Sequence, residues 1–135
     1  MNERELLDLA IGARARAYTP YSHFCVGAAL LTRGGRVYLG CNIENASFSP
    51  TICAERTAIA KAVSEGDRDF VAIAIAGGPE GGALRPVCAP CGVCRQVLAE
   101  FCPADMPVIL GDGEGMEVCP LSRLLPLACT EKDLH

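Results

Sequence analysis

The chain has 135 residues, 50% of them hydrophobic and 21% charged, which is enough for one domain with a real core spanning residues 1–135. Acids outnumber bases 16 to 12, and the net charge of -4 argues against a binder of nucleic acid or anionic membranes, which would need a basic footprint. Nine cysteines stand against two histidines, His23 and His135; an odd count excludes complete disulfide pairing, and a Ser-His-Asp triad would rest on His23 alone.

Leu6, Leu7, Ala10, Ile11, Ala17 and Tyr18 recur at helical spacing, predicting an amphipathic first helix that ends before Pro20. Phe24 to Thr32 and Val37 to Cys41 read as strands joined by an Arg33-Gly34-Gly35-Arg36 turn, hence a hairpin. Ser49-Pro50-Thr51 offers the cap and first turn of a second helix, striped by Ala58, Ile59, Ala62 and Val63 and stopped at Gly66. Phe70 to Ala76 is apolar enough for a buried strand, and Gly77 to Gly82 reads as loop. Pro90 opens a third helix that runs to Pro103, Val108 to Leu110 form a strand, and Leu121 to Leu125 a weak closing helix. Four strands and their helices give an α/β sandwich with a mixed sheet. The charged start, Met1-Asn2-Glu3-Arg4-Glu5, leads into no signal-peptide core, and no apolar run nears the ~18 residues of a spanning helix. The expectation is a cytoplasmic protein with reduced thiols.

Cys88, Cys91 and Cys94 form C-x-x-C-x-x-C, which is open to three readings. A thiol redox pair is one. The opening of an iron–sulfur run is another, although seven residues rather than three separate Cys94 from Cys102-Pro103. Zinc, with a further ligand from elsewhere, is the third. Cys53-Ala54-Glu55-Arg56 supplies that ligand from the start of another helix, where free N–H groups and the helix dipole favour a thiolate. Three thiolates and a water would make a tetrahedral zinc site with one open position, the arrangement of a catalytic zinc. Glu55, two residues from Cys53, could reach that position without ligating, or could simply be an acid well placed in a first helical turn.

Cys-x-Glu followed by Pro90-Cys91-Gly92-Val93-Cys94 matches the general signature of zinc nucleoside and nucleobase deaminases. With Pro20-Tyr21-Ser22 through Phe24, Val26, Gly27 and Ala28, with Gly40-Cys41-Asn42-Ile43-Glu44-Asn45-Ala46, and with Arg95-Gln96, the chain resembles the small, three-cysteine cytidine deaminases of the zinc-dependent cytidine and deoxycytidylate deaminase family. The resemblance implies a three-layer α/β/α sandwich on a mixed sheet of about five strands, one zinc per subunit, and a homotetramer with sites completed by neighbours. It implies hydrolysis of cytidine and deoxycytidine to uridine and deoxyuridine plus ammonia, a step of pyrimidine salvage. Cys53, Cys91 and Cys94 would hold the metal, and Glu55 would move protons from water to ring N3 and then to the leaving amine. Arg56 would donate to the sulfurs, Phe24 would stack on the base, Asn42 and Glu44 would bind ribose hydroxyls, and the Ala54 N–H would meet O2 of the base. Phe48 would contact a neighbouring subunit, where the family often has tyrosine.

Cys88 stands where the family often has serine or threonine, and Cys129 where a closing aromatic would be expected. Cys25, Cys41, Cys102, Cys119 and Cys129 read as buried small hydrophobes. Blasticidin S deaminase is the nearest alternative within the enzyme class, and Asn42 to Ala46 favour the ribose reader. A non-catalytic metal or redox module is the alternative outside it, and would leave Glu55 without a role.

Overall fold

The computed structural model describes residues 1–134, so His135 lies outside the described residues. Helix α1 spans Glu3–Ala13 and opens on a capping box: the Asn2 side chain accepts from the Glu5 N–H at 2.8 Å, and Glu5 accepts from the Asn2 N–H at 3.1 Å. The helical spacing predicts continuation to Tyr18, but the chain tightens into a 3-10 turn at Arg14–Arg16 and then extends. Three bonds explain the early stop. The Arg14 guanidinium donates to the carbonyls of Cys25 (2.8 Å) and Gly78 (3.0 Å), and the Tyr18 N–H donates to the Asn42 carbonyl at 3.0 Å.

Strands β1 (Phe24–Thr32) and β2 (Val37–Cys41) form the expected antiparallel hairpin, with Gly27 opposite Cys41 and Leu31 opposite Val37. Strand β3 runs Phe70–Pro79, longer than its apolar stretch, because Gly77, Gly78 and Pro79 pair with Val26, Cys25 and Phe24 of β1. Strand β4 (Pro107–Gly111) lies parallel to β3, and β5 (Met116–Pro120) closes the sheet antiparallel to β4. The order is β2-β1-β3-β4-β5. The reading of four strands missed β5, which is an edge strand with only Cys119 buried and therefore shows little apolar alternation.

Strand pleating divides the core. Ala29, Ala72, Ala74, Ala76 and Ile109 face α1, against Leu6, Leu7 and Ala10. Ala28, Leu30, Ile73, Ile75, Val108 and Leu110 face the opposite side, where helices α2 (Ala54–Ser64) and α3 (Gly92–Phe101) pack. These are the three layers of an α/β/α sandwich. A short helix α4 (Leu121–Leu124) and a 3-10 turn (Glu131–Leu134) complete the described chain. Among the described residues, no helix is long and apolar enough to cross a membrane.

Two helix starts differ from the sequence expectation. Ser49-Pro50-Thr51 lies in a loop, and α2 starts at Ala54 with Cys53 as its N-cap. The reason is a reciprocal bridge, Ile43 N–H to Ile52 carbonyl (2.9 Å) and Ile52 N–H to Ile43 carbonyl (3.0 Å), which keeps the chain extended to that point. Likewise α3 starts two residues after Pro90, with Cys91 as N-cap. Gly40 sets the depth of α2: a Cβ there would lie 2.2 Å from the Ala54 carbonyl oxygen and 2.6 Å from the Ala58 nitrogen. Only a glycine on β2 lets the first turn of α2 settle this close to the sheet.

Candidate active site and metal centre

Helices α2 and α3 bring their N-terminal ends together on one side of the sheet. Cys53 and Cys91 occupy the two N-cap positions, and neither makes a side-chain capping bond. Cys94 follows in the first turn of α3 and is wholly buried, while Cys91 is exposed. The three sulfurs all lie within 4.8 Å of one another. Cys53 Sγ is 3.8 Å from Cys91 Sγ, which is 3.5 Å from Cys94 Sγ. Tetrahedral zinc with Zn–S bonds of about 2.3 Å would hold its sulfurs about 3.8 Å apart, so the donor set fits that ion.

The charges within the trio are uneven. A hydrogen bond from the Cys94 thiol, together with bonds from Arg56 and Cys91, pulls the Cys53 thiol well below its ordinary range despite burial. The bond with Cys53 and burial push Cys94 far up. Cys53 thus ionises readily, while Cys94 resists. A divalent cation would supply the charge that lets all three ionise together, releasing protons on binding. Arg56 donates from Nη2 to Cys53 Sγ at 3.7 Å and to the Thr51 carbonyl at 3.3 Å. Its Nε is buried with no partner among the described residues, a donor that a fully ionised sulfur cluster would satisfy.

Glu55 sits in the first turn of α2, 3% exposed. Burial pushes its carboxyl pKa up; its own backbone N–H offsets part of the rise, and the negative Cys53 sulfur adds to it. Ala54, the first residue of α2, is fully buried, and its N–H is one of the helix-end donors that have no partner within the helix.

A second packed group involves Gly77, Cys88 and Phe24. A Cβ on Gly77 would come within 2.5 Å of Cys88 Sγ and 3.1 Å of Phe24 Cε1, so the bare glycine, the thiol and the ring edge are packed together. Burial raises the Cys88 thiol pKa, and the Glu55 charge raises it further. The Arg85 guanidinium lies 5.8 Å from the Phe24 ring centroid, and the Arg85 N–H donates to the Gly77 carbonyl at 2.8 Å. Asn42 is braced across β1: its Nδ2 donates to the Phe24 carbonyl and its Oδ1 accepts from the Val26 N–H, both at 2.9 Å. An Nδ2 hydrogen remains. Glu44 Oε1 accepts from the Tyr21 and Ser22 N–H groups at 3.1 Å each, and Oε2 accepts from the Ser22 hydroxyl.

The structure thus brings Cys53, Cys91, Cys94, Glu55 and Arg56 into one cluster and ties Phe24, Asn42 and Glu44 to one another through loop and strand. Phe48 stands apart, 84% exposed in the loop before α2. Sequence reasoning quoted Ser22 in a resembling stretch without giving it a role, and passed over Gly77 and Arg85. The motif and its nearness to Phe24 were the signals for Ser22, and nothing local marked Gly77 or Arg85. Cys25, Cys102 and Cys119 are buried as expected, whereas Cys41 is half-buried and Cys129 is exposed, its carbonyl accepting from Gln96 Nε2 at 2.8 Å. Cys129 lies on the chain after α4, outside the packed layers, so it does not act as a core hydrophobe.

Residues 1–110 match the model of the cytidine and deoxycytidylate deaminase zinc-binding region. The chain is 53% identical over 136 residues to a cytidine deaminase of Halalkalibacterium halodurans, covering 100% of this chain and 99% of the relative. It is 50% identical over 135 residues to that of Sporosarcina psychrophila, covering 99% and 96%. The crystal structure of cytidine deaminase from Burkholderia pseudomallei superposes with a TM-score of 0.87 at 43% identity, covering 96% of this chain and 100% of that one. With the sulfur cluster and buried glutamate in the matched region, the chain belongs to the cytidine and deoxycytidylate deaminase family.

Proposed function

We propose that this chain is a single catalytic domain that hydrolyses cytidine and deoxycytidine to uridine and deoxyuridine with release of ammonia, as in pyrimidine salvage. The observation that carries the reading is the pairing of three sulfurs within 4.8 Å with a 3% exposed glutamate on the same helix turn as one of them. Cys53, Cys91 and Cys94 would hold zinc, which would supply Lewis acidity and lower the pKa of a bound water toward neutrality.

Glu55 takes the proton from the water that adds at C4 of the cytosine ring and delivers it to ring N3. It then takes the remaining proton from the new C4 hydroxyl and passes it to the exocyclic amine, so that the C4–N bond breaks, C4=O forms and ammonia leaves. Each transfer returns Glu55 to its starting form, so one carboxyl serves as base and then acid. Its burial suits this work, because it brings the neutral form within reach at working pH. Phe24 stacks on the pyrimidine, the Ala54 N–H meets the base oxygen O2, and the spare Asn42 hydrogen and the Glu44 carboxylate bind the ribose hydroxyls. Arg56 offsets the negative charge of the sulfurs.

The protein works as a homotetramer in the cytoplasm. Exposure of 84% at Phe48 and 103% at Leu127 supports burial of these side chains against other copies, with Phe48 reaching a neighbour's site. Nine free thiols suit a reducing compartment. Incubating the purified protein with cytidine should yield uridine and ammonia in equal amounts, and a zinc-loaded sample without turnover would refute the assignment. Light scattering should give four chains per particle; a persistent monomer would refute the tetramer.

A further inference from the structure

Ser22 lies on the 19–23 loop, between the residues assigned to the base and those assigned to the sugar. Its Oγ accepts from the Phe24 N–H at 3.1 Å and touches Glu44 Oε2. A serine hydroxyl has one proton. Because Oγ is an acceptor toward Phe24, that proton is free for Glu44, whose carboxylate can only accept. Glu44 Oε1 is already taken by the Tyr21 and Ser22 N–H groups, at 3.1 Å each. A carboxylate has about four acceptor sites, so three bonds hold Glu44 in place and leave one site, on Oε2, for an incoming hydroxyl.

The loop itself is tethered at both ends. The His23 N–H donates to the Thr19 carbonyl at 3.0 Å, and the His23 carbonyl accepts from the Glu80 N–H at 2.7 Å. His23 adopts a left-handed conformation with φ of 55°, which turns the chain sharply between Ser22 and Phe24 and lets the hydroxyl reach back to the Phe24 N–H. The Ser22 hydroxyl is also the foremost influence holding the Glu44 carboxyl below its ordinary range, so the carboxylate stays ionised and acceptor-only.

We propose that Ser22 is a positioning residue for the sugar side of the site, its hydroxyl fixing Glu44 Oε2 so that the remaining acceptor site of the carboxylate points to a ribose hydroxyl. This rests on the nucleoside reading above. Ser22 acts through Glu44 and should matter only for substrates that carry the hydroxyls Glu44 binds.

The test is steady-state kinetics of the zinc-loaded full chain with cytidine and with 2′,3′-dideoxycytidine, which lacks both ribose hydroxyls. Ser22→Ala should raise the KM for cytidine about tenfold, the scale of one hydrogen bond to a charged group, with kcat within about twofold. For dideoxycytidine the variant should match the unaltered protein, and Ser22→Thr, which keeps the hydroxyl, should restore the cytidine KM. In a Glu44→Gln background, Ser22→Ala should add little further loss, a comparison that holds even if the single variant melts early. An equal KM rise for both nucleosides would overturn the proposal in favour of a general loop role. So would an unchanged cytidine KM, or losses that multiply with Glu44→Gln. If the unaltered protein turns over neither nucleoside, the nucleoside reading itself fails and the role of Ser22 falls with it.

Discussion

Arg56 answers a charge problem at the scale of single residues. Three thiolates around a divalent ion leave one net negative charge, which weakens the Lewis acidity the reaction needs. Nη2 of Arg56 lies 3.7 Å from Cys53 Sγ, and its Nε is buried without a partner among the described residues. Arg56→Gln should therefore retain zinc, because the sulfurs remain, yet lower kcat/KM about 10- to 100-fold, the usual cost of losing a partner of the ligands. Metal content and turnover measured on the same sample check this, and unchanged turnover would show Arg56 to be an ordinary helix residue. The sulfur cluster and the buried glutamate beside it were legible because both patterns are local: Cys-x-Glu and Cys-x-x-Cys each fit within one helix turn. Ser22 was not, because its bond to Glu44 spans 22 positions and exists only once the loop meets the segment after β2.

The decisive structural elements are two helix N-termini, aimed at one point by the sheet beneath them. Cys53 and Cys91 take the N-cap positions where a serine or aspartate would ordinarily sit, so their sulfurs meet the partial positive charge of the helix ends. Gly40 fixes how deep α2 lies. In Gly40→Ala the new methyl would meet backbone atoms at 2.2 and 2.6 Å, neither of which can rotate away. We expect a loss of about 3 kcal/mol in denaturant unfolding, the upper part of the range for overpacking, and reduced turnover as Cys53 and Glu55 shift together. A variant with full stability and activity would contradict this account of α2. Where pattern and turn chemistry agreed, as in β1, β2 and their Gly-Gly turn, the sequence boundaries match the structure. They differ where tertiary pairing intervenes. Ser49-Pro50-Thr51 carries capping chemistry, but the bridge between Ile43 and Ile52 moves the helix start to Ala54.

Across the whole molecule, zinc on Cys53, Cys91 and Cys94 would join two helices that otherwise make few contacts with each other. Helix α2 rests on β1 and β2, while α3 carries the chain from β3 to its parallel neighbour β4. Zinc bound at a thousandfold excess over its Kd contributes about 4 kcal/mol to the folded state. Removing it with a chelator should lower Tm on the order of 10 °C in a domain of this size, and added zinc should restore it. An unmoved Tm would mean that the sulfurs do not clamp the helices through a metal. The nine cysteines, all free, divide into three at the metal centre, one beside Gly77 and Phe24 and five elsewhere, so their odd number poses no pairing problem. The central claim is that one buried carboxyl moves every proton while the sulfurs only hold the metal. Glu55→Gln measures this most directly: turnover of cytidine should fall by at least 10²- to 10⁴-fold, with one zinc per chain retained. Near-normal turnover in that variant, or loss of its zinc, would contradict the account.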